Sequence, residues 1–212
     1  NSEYSLIYKR SFEQKGHDFT AEVKYLDNWE NSDQLFTQYS YSPGGTLDSS
    51  QIQTSVNDEF EKQFLVQLDY VKPIGKEGKF ETGIGSSFRD MVNDYIVSEQ
   101  NEEGGFDPIP ELDNVFLYDE NIHAVYGILG NKTKGFSYQA GLRTEWTEVI
   151  TTLEETNEVN PRKYVNLFPS AHITMDLPKQ NAFQPSYSRR VRRPSYNDLS
   201  PFMTLSDRRN FS

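Results

Sequence analysis

The stretch "KQFLVQLDYV", Lys62 to Val71, places Phe64, Val66, Leu68 and Tyr70 on one side and Gln63, Gln67 and Asp69 on the other. A period of two sustained over eight or more residues is a β-strand with one apolar and one polar face. The same rhythm runs outward in both directions. In "DFTAEVKYLDNW" (18–29), Phe19, Ala21, Val23 and Tyr25 oppose Thr20, Glu22 and Lys24. In "YDENIHAVYGILG" (118–130), Tyr118, Ile122, Ala124, Tyr126 and Ile128 share a face. In "GFSYQAGLRTEW" (135–146), Phe136, Tyr138, Ala140, Leu142 and Trp146 oppose Ser137, Gln139, Arg143 and Glu145. No segment carries a comparable helical stripe.

The pattern predicts an all-β fold, an antiparallel meander of about eight long strands in a single domain, 1–212. The expected spans are 2–12, 17–30 (extending as far as 41), 58–72, 79–97, 115–130, 135–150, 163–177 and 182–193. Several exceed the five or six residues usual in soluble sheets and suit the roughly ten tilted residues of a membrane-crossing strand. Tight turns near 13–17, 72–79, 131–135 and 178–181 alternate with longer polar stretches at 31–57, 98–114 and 151–161. Short turns at one end and long loops at the other mark an outer-membrane β-barrel, of which this chain is expected to be a part. Aromatics gather toward strand ends, among them Tyr8, Trp29, Tyr70, Phe88, Trp146 and Tyr164. Interfacial girdles call for such placement, although aromatics also favour strands in general.

Composition narrows the function. The chain has 212 residues, a formal net charge of -11 and no cysteine. An acidic chain is a poor binder of phosphate backbones, so no nucleic-acid partner is expected. Disulfide and thiol chemistry are absent. Only 35% of residues are hydrophobic, yet Tyr (13) and Phe (14) are abundant, which suits strands lying between two media. No apolar run reaches the roughly 18 residues of a membrane helix. The opening Asn1-Ser2-Glu3-Tyr4 reads as strand, not as an export signal, and the missing initiator Met reads as a mature or excised chain.

Little in the sequence points to catalysis. His17, His123 and His172 have no metal-ligand spacing, and no serine sits in a GxSxG elbow. An outer-membrane hydrolase would need Ser and His converging from neighbouring strands. The chain is therefore read as no enzyme and as needing no cofactor. Glu102, Glu103, Asp107, Glu111 and Asp113 could offer oxygen ligands to a divalent cation, but they lack dedicated calcium-loop spacing and read as a solvated loop. Gly83 and Gly85 lie on an alternating strand, where they suit a bend or close side-chain packing.

The sharpest local feature is "YSRRVRRPSYNDLSPF", 187–202, with Arg189, Arg190, Arg192 and Arg193 within five positions. As a strand it carries charge on both faces, which lipid or core would penalise. A polar lumen on one side and an aqueous rim at the strand's end accommodate it.

This region resembles the barrel of TonB-dependent outer-membrane receptors, in particular the outer membrane protein beta-barrel family common in Bacteroidetes. The resemblance rests on Phe168-Pro169-Ser170, the turn near Pro178, Tyr187-Ser188-Arg189-Arg190, Arg193-Pro194-Ser195-Tyr196 and Leu199-Ser200-Pro201-Phe202, with "YQAGLRTEWT" (138–147) in support. Gln184-Pro185 departs from the family's unbroken strand. The resemblance implies an interior piece of a barrel of about 22 strands. It further implies an outer-membrane setting in contact with lipid, a plug domain, energy from the TonB complex and uptake of an unidentified nutrient ligand. By this reading Arg189, Arg190, Arg192, Arg193 and Tyr196 stand near the lumen or its rim and pair with barrel or plug carboxylates. Two other architectures fit the alternation, a small closed eight-stranded barrel with a structural or adhesive role and a soluble β-sandwich binding module.

Overall fold

The computed structural model describes residues 1–110 and 112–191, and the backbone of 205–207 and 210–211. Seven long strands dominate: β1 (Ser2–Ser11), β2 (Asp18–Tyr41), β3 (Leu47–Ile74), β4 (Gly78–Gln100), β6 (Asn114–Thr133), β7 (Phe136–Leu153) and β8 (Glu158–Leu177). Shorter pieces are β5 (Phe106–Pro108), β9 (Asn181–Phe183) and β10 (Ser186–Ser188), and a separate pair is β11 (Leu205–Asp207) with β12 (Asn210–Phe211). The main sheet is an antiparallel meander in the order β1-β2-β3-β4-β6-β7-β8-β10, with β5 on β4 and β9 on β8. The expected eight-strand meander is present.

Two expectations change in detail. The polar stretch 31–57 is not a loop. The β2–β3 ladder continues through it in one register, from Asp18↔Val71 to Ser40↔Ser49, and closes in a turn where the Ser42 amide donates to the Thr46 carbonyl at 2.9 Å. Likewise β7 and β8 stay paired out to Leu153↔Glu158. Backbone ladders require no apolar face. Where water lies on both sides of a strand, side-chain alternation is no longer selected, so a reading by apolar period stops short of the true strand end.

The expected strand 182–193 is interrupted at Gln184-Pro185, but its frame is not lost. Met175↔Phe183 below the break and His172↔Ser186 above it belong to one register. The Ile173 amide donates to the Pro185 carbonyl at 3.0 Å, and the Arg189 amide donates to the Pro169 carbonyl at 3.1 Å. Neither proline returns a hydrogen bond, so the β8–β10 seam lacks the donors that would meet the Ile173 and Arg189 carbonyls.

Registers carry each strand's parity across the sheet and sort all side chains onto two faces. One face holds Val23, Phe64, Ile84, Val125, Leu142 and Val165, all largely exposed. The opposite face holds every buried side chain: Met91, Val97, Phe116, Tyr118, Ala124 and Val149, with Ser55, Asn93, Glu145 and Thr147. The sheet therefore curls toward its polar face, and the tightest apolar cluster, Met91, Phe116, Tyr118 and Val149 with Leu153 against it, sits inside that curl.

Nothing among the described residues covers the apolar face, as a sandwich partner would. β1 and β10 are the two ends of the strand order, not neighbours, as closure of eight strands on themselves requires.

Candidate functional site

The exposed apolar face forms a band. On β4 it runs through Phe80, Ile84 and Phe88, which at about 3.3 Å per residue covers roughly 26 Å of strand. That matches the outward apolar band of a membrane barrel, about 25 Å tall. At one margin Tyr25, Phe64 and Phe88 lie in one cross-strand row, with Phe64 and Phe88 ring centroids 6.4 Å apart. At the other, His17 stacks on Phe12 at 4.0 Å and meets the Tyr70 hydroxyl at 2.9 Å. One row beyond Phe88 the same face turns charged, with Asp27, Lys62, Asp90 and Asp119 in register. The Asp119 carboxyl there is held above the usual carboxylate range by burial, then by the charge of Asp90 and a hydrogen bond with it. On the inner face beyond the band, Glu59 is likewise raised, by burial and then by Glu30 and Glu61, with Arg89 opposing.

The inner face is a network of charge and hydroxyl groups. Arg89 Nε donates to Glu61 Oε1 at 2.6 Å, Arg143 Nε donates to Glu145 Oε1 at 2.7 Å, and Lys79 pairs with Glu81. The Tyr126 hydroxyl donates to Asp69 Oδ1 at 2.6 Å, and Gln67 donates to the other oxygen at 2.8 Å. Here β6 departs from the simplest reading of its alternation. Tyr118, Ile122, Ala124, Tyr126 and Ile128 do share a face, but it is this networked one, while Leu117, Val125 and Leu129 face outward. Both faces of β6 carry apolar groups, so only the register to β4 decides between them.

One inner row reads Asp69, Gly83, Tyr126, Arg143, Phe168, and the next reads Glu81, Ile128, Gly141, Ser170, Ser188. Strand pairing on β10 ends at Ser188↔Ser170, one backbone bond from the Arg189 amide to the Pro169 carbonyl follows, and Arg190 comes next. Between these rows lies a cleft of about 420 Å³ lined by Tyr126, Arg143, Phe168, Ser170, Ser188 and Arg190; Arg189, named from sequence as lumenal, also borders it, although its backbone bond to Pro169 gives it the outward parity of Leu142. No ion pair joins Arg189 or Arg190 to a carboxylate among the described residues. Arg192, Arg193 and Tyr196 lie outside the described residues. Arg143, Phe168 and Ser170 were not singled out from sequence as site residues, and only the strand register brings them to the arginines.

Other candidates resolve into local structure. Asp113 accepts from the Val97 amide at 2.8 Å, and Asp107 accepts from Asn101, which also caps the Glu103 and Gly105 amides. Glu111 lies outside the described residues. No group of three or more metal-ligating side chains gathers among the described residues. Ser86 and His123 do converge from neighbouring strands, at 2.9 Å. The imidazole contact is through Nδ1, and both residues stand as a register pair within the β4–β6 ladder.

A curled antiparallel sheet with a lipid-height apolar band outside and an ionic network inside is a section of barrel wall. A profile of the outer membrane protein beta-barrel family matches residues 10–212. The chain belongs to that family. Its place is the outer membrane, and the networked face is the lumenal one. Among solved structures it is similar to the unliganded ferric citrate transporter FecA, with a TM-score of 0.52 and 15% identity over 84% of this chain. The chain spans 25% of that transporter's length, so the likeness is one of fold over a sector of a larger barrel. No curated protein matches the chain.

Proposed function

We propose that the chain is part of the barrel wall of a TonB-dependent receptor that imports a nutrient across the outer membrane. The observation that carries this reading is the lumenal face. It holds ion pairs and a cleft of ligand size where a small structural barrel would pack side chains to fill its interior. The extended β2–β3 arm reaches well past the apolar band and would stand in the external medium, placed to meet ligand first. In this reading the lumen houses a plug domain and the TonB complex supplies energy. The chain itself performs no chemistry and needs no cofactor.

The test is growth of source cells on a panel of limiting nutrients, with the gene for the full-length protein intact or deleted and with TonB present or absent. A growth defect on the same nutrient in both backgrounds supports the proposal. Growth that depends on the gene but not on TonB would leave a passive or structural barrel instead.

A further inference from the structure

The lumenal cleft is cationic in an acidic chain. Of its charged lining residues on the lumenal parity, Arg143 and Arg190 are positive and Glu81 is negative, a balance of +1, while Arg189 takes the outward parity through its backbone bond to Pro169. Glu81 is already paired with Lys79. Arg143 spends its Nε on Glu145, leaving its terminal nitrogens on a side chain that is 45% exposed. Arg143 and Phe168 are a register pair, and Arg190 lines the same cleft two residues past Ser188, so two guanidinium-bearing residues share the cleft with a phenyl ring. Directly beside that pair, Ser170 and Ser188 face each other as a register pair and offer two hydroxyls. Gly141 keeps the floor low. A Cβ there would lie 2.9 Å from Ile128 Cγ1 and 3.0 Å from Ser170 Oγ, so any side chain would intrude on this corner of the cleft.

We infer that this cleft is a binding site for an anionic oxygen group, a carboxylate or phosphate, held by Arg143 and Arg190 with Ser170 and Ser188 as hydrogen-bond donors. Guanidinium forks bind such oxygens in a planar, two-point manner, and these charge-assisted bonds are the stronger ones. Phe168 supplies an apolar wall against which the carbon skeleton bearing the group can rest. The inference deepens the transport reading and rests on it only for the identity of the lumen. The anionic group comes either from a solute passing through or from a side chain of the same full-length polypeptide.

Two arms on the purified full-length protein in detergent, at low ionic strength, separate these sources. In the first, citrate and inorganic phosphate are titrated by calorimetry with glucose as uncharged control. Saturable binding of either anion, weakened at least tenfold by Arg190→Gln and by Arg143→Gln, identifies a solute site. In the second, Arg190→Lys is treated with a carbodiimide, which condenses the new amine with any carboxylate in contact, and the cross-link is mapped. An amide bond to an Asp or Glu outside 1–191 identifies a chain carboxylate seated in the cleft. If Arg190→Gln fails to fold, Ser188→Ala replaces it in the first arm with a smaller expected loss. No anion binding together with no cross-link overturns the inference. It would do so even if nutrient uptake proved TonB-dependent, so the two proposals fail separately.

Discussion

The hydroxyl of Tyr126 on β6 reaches Asp69 on β3 at 2.6 Å by passing over Gly83 on β4, the residue that stands between them in the ladder. Neither residue neighbours the other's strand, and the bridge exists because the intervening position has no side chain. A Cβ at Gly83 would lie 2.5 Å from Tyr126 Cε1 and 2.6 Å from Asp69 Oδ1. Gly83→Ala should therefore cost about 1–3 kcal/mol through overpacking and loss of the bridge. Tyr126→Phe, which removes only the hydroxyl, should cost about 1.5–3 kcal/mol because the acceptor is a carboxylate. Denaturant unfolding of the refolded full-length protein would check both. Additive losses in the double variant would show that the glycine does not act through the bridge.

The two faces should answer oppositely to the same charge. Ile84 is 54% exposed on the outward band, while Leu65 lies on the lumenal face. Ile84→Arg is expected to destabilise by about 2–4 kcal/mol, the cost of an arginine near the bilayer midplane, whereas Leu65→Arg should stay near neutral. The readout is the unfolding midpoint in lipid vesicles. Equal penalties at both positions would mean that the lipid-facing and lumenal faces are assigned wrongly.

How much of this was legible beforehand differs by element. In β3 and β7 the alternation is clean, since one face meets lipid and the other charge, and the sequence alone marks the strands. β6 defeats that reading because Tyr126 and Ile128 are apolar in body yet lumenal, and the tyrosine is there for its hydroxyl. The glycine at 83 suited a bend or close packing without showing what packed, and the one at 141 was not singled out. The arm from 31 to 57 looked like loop because water on both sides removes the pattern. The cleft was the least visible. Arg190 was named, but Arg143 and Ser170 reach it only through registers that no local pattern encodes.

Acidity should tighten the structure beyond the band. Asp119 and Glu59 both hold their protons to higher pH in the folded state, chiefly through burial and then through neighbouring carboxylates. Over that window the folded state binds more protons than the unfolded one, so unfolding free energy falls as pH rises. The fall begins at the ordinary values, 3.8 for Asp119 and 4.5 for Glu59, and ends above the raised ones. Asp119→Asn with Glu59→Gln should flatten this slope and leave the double variant the more stable protein at neutral pH. A slope unchanged by both substitutions would assign the pH dependence to other groups.

The β8–β10 seam offers a gain in place of a loss. Pro185 accepts from the Ile173 amide but has no donor for the Ile173 carbonyl. Pro185 sits in unbroken register between Phe183 and Ser186, so an alanine there finds an extended backbone ready to donate. Pro185→Ala should add a ladder bond of about 0.5–1.5 kcal/mol. It also releases the unfolded chain from proline's restriction, which takes back about 0.4–1 kcal/mol. The net change in unfolding free energy is then small, and the telling measurement is local. Amide exchange at Phe183 and Tyr187, read by hydrogen–deuterium exchange of the full-length protein, should slow several-fold as the seam closes. Faster exchange at those two amides would mean that the alanine does not donate to Ile173 and that the register through Pro185 does not hold.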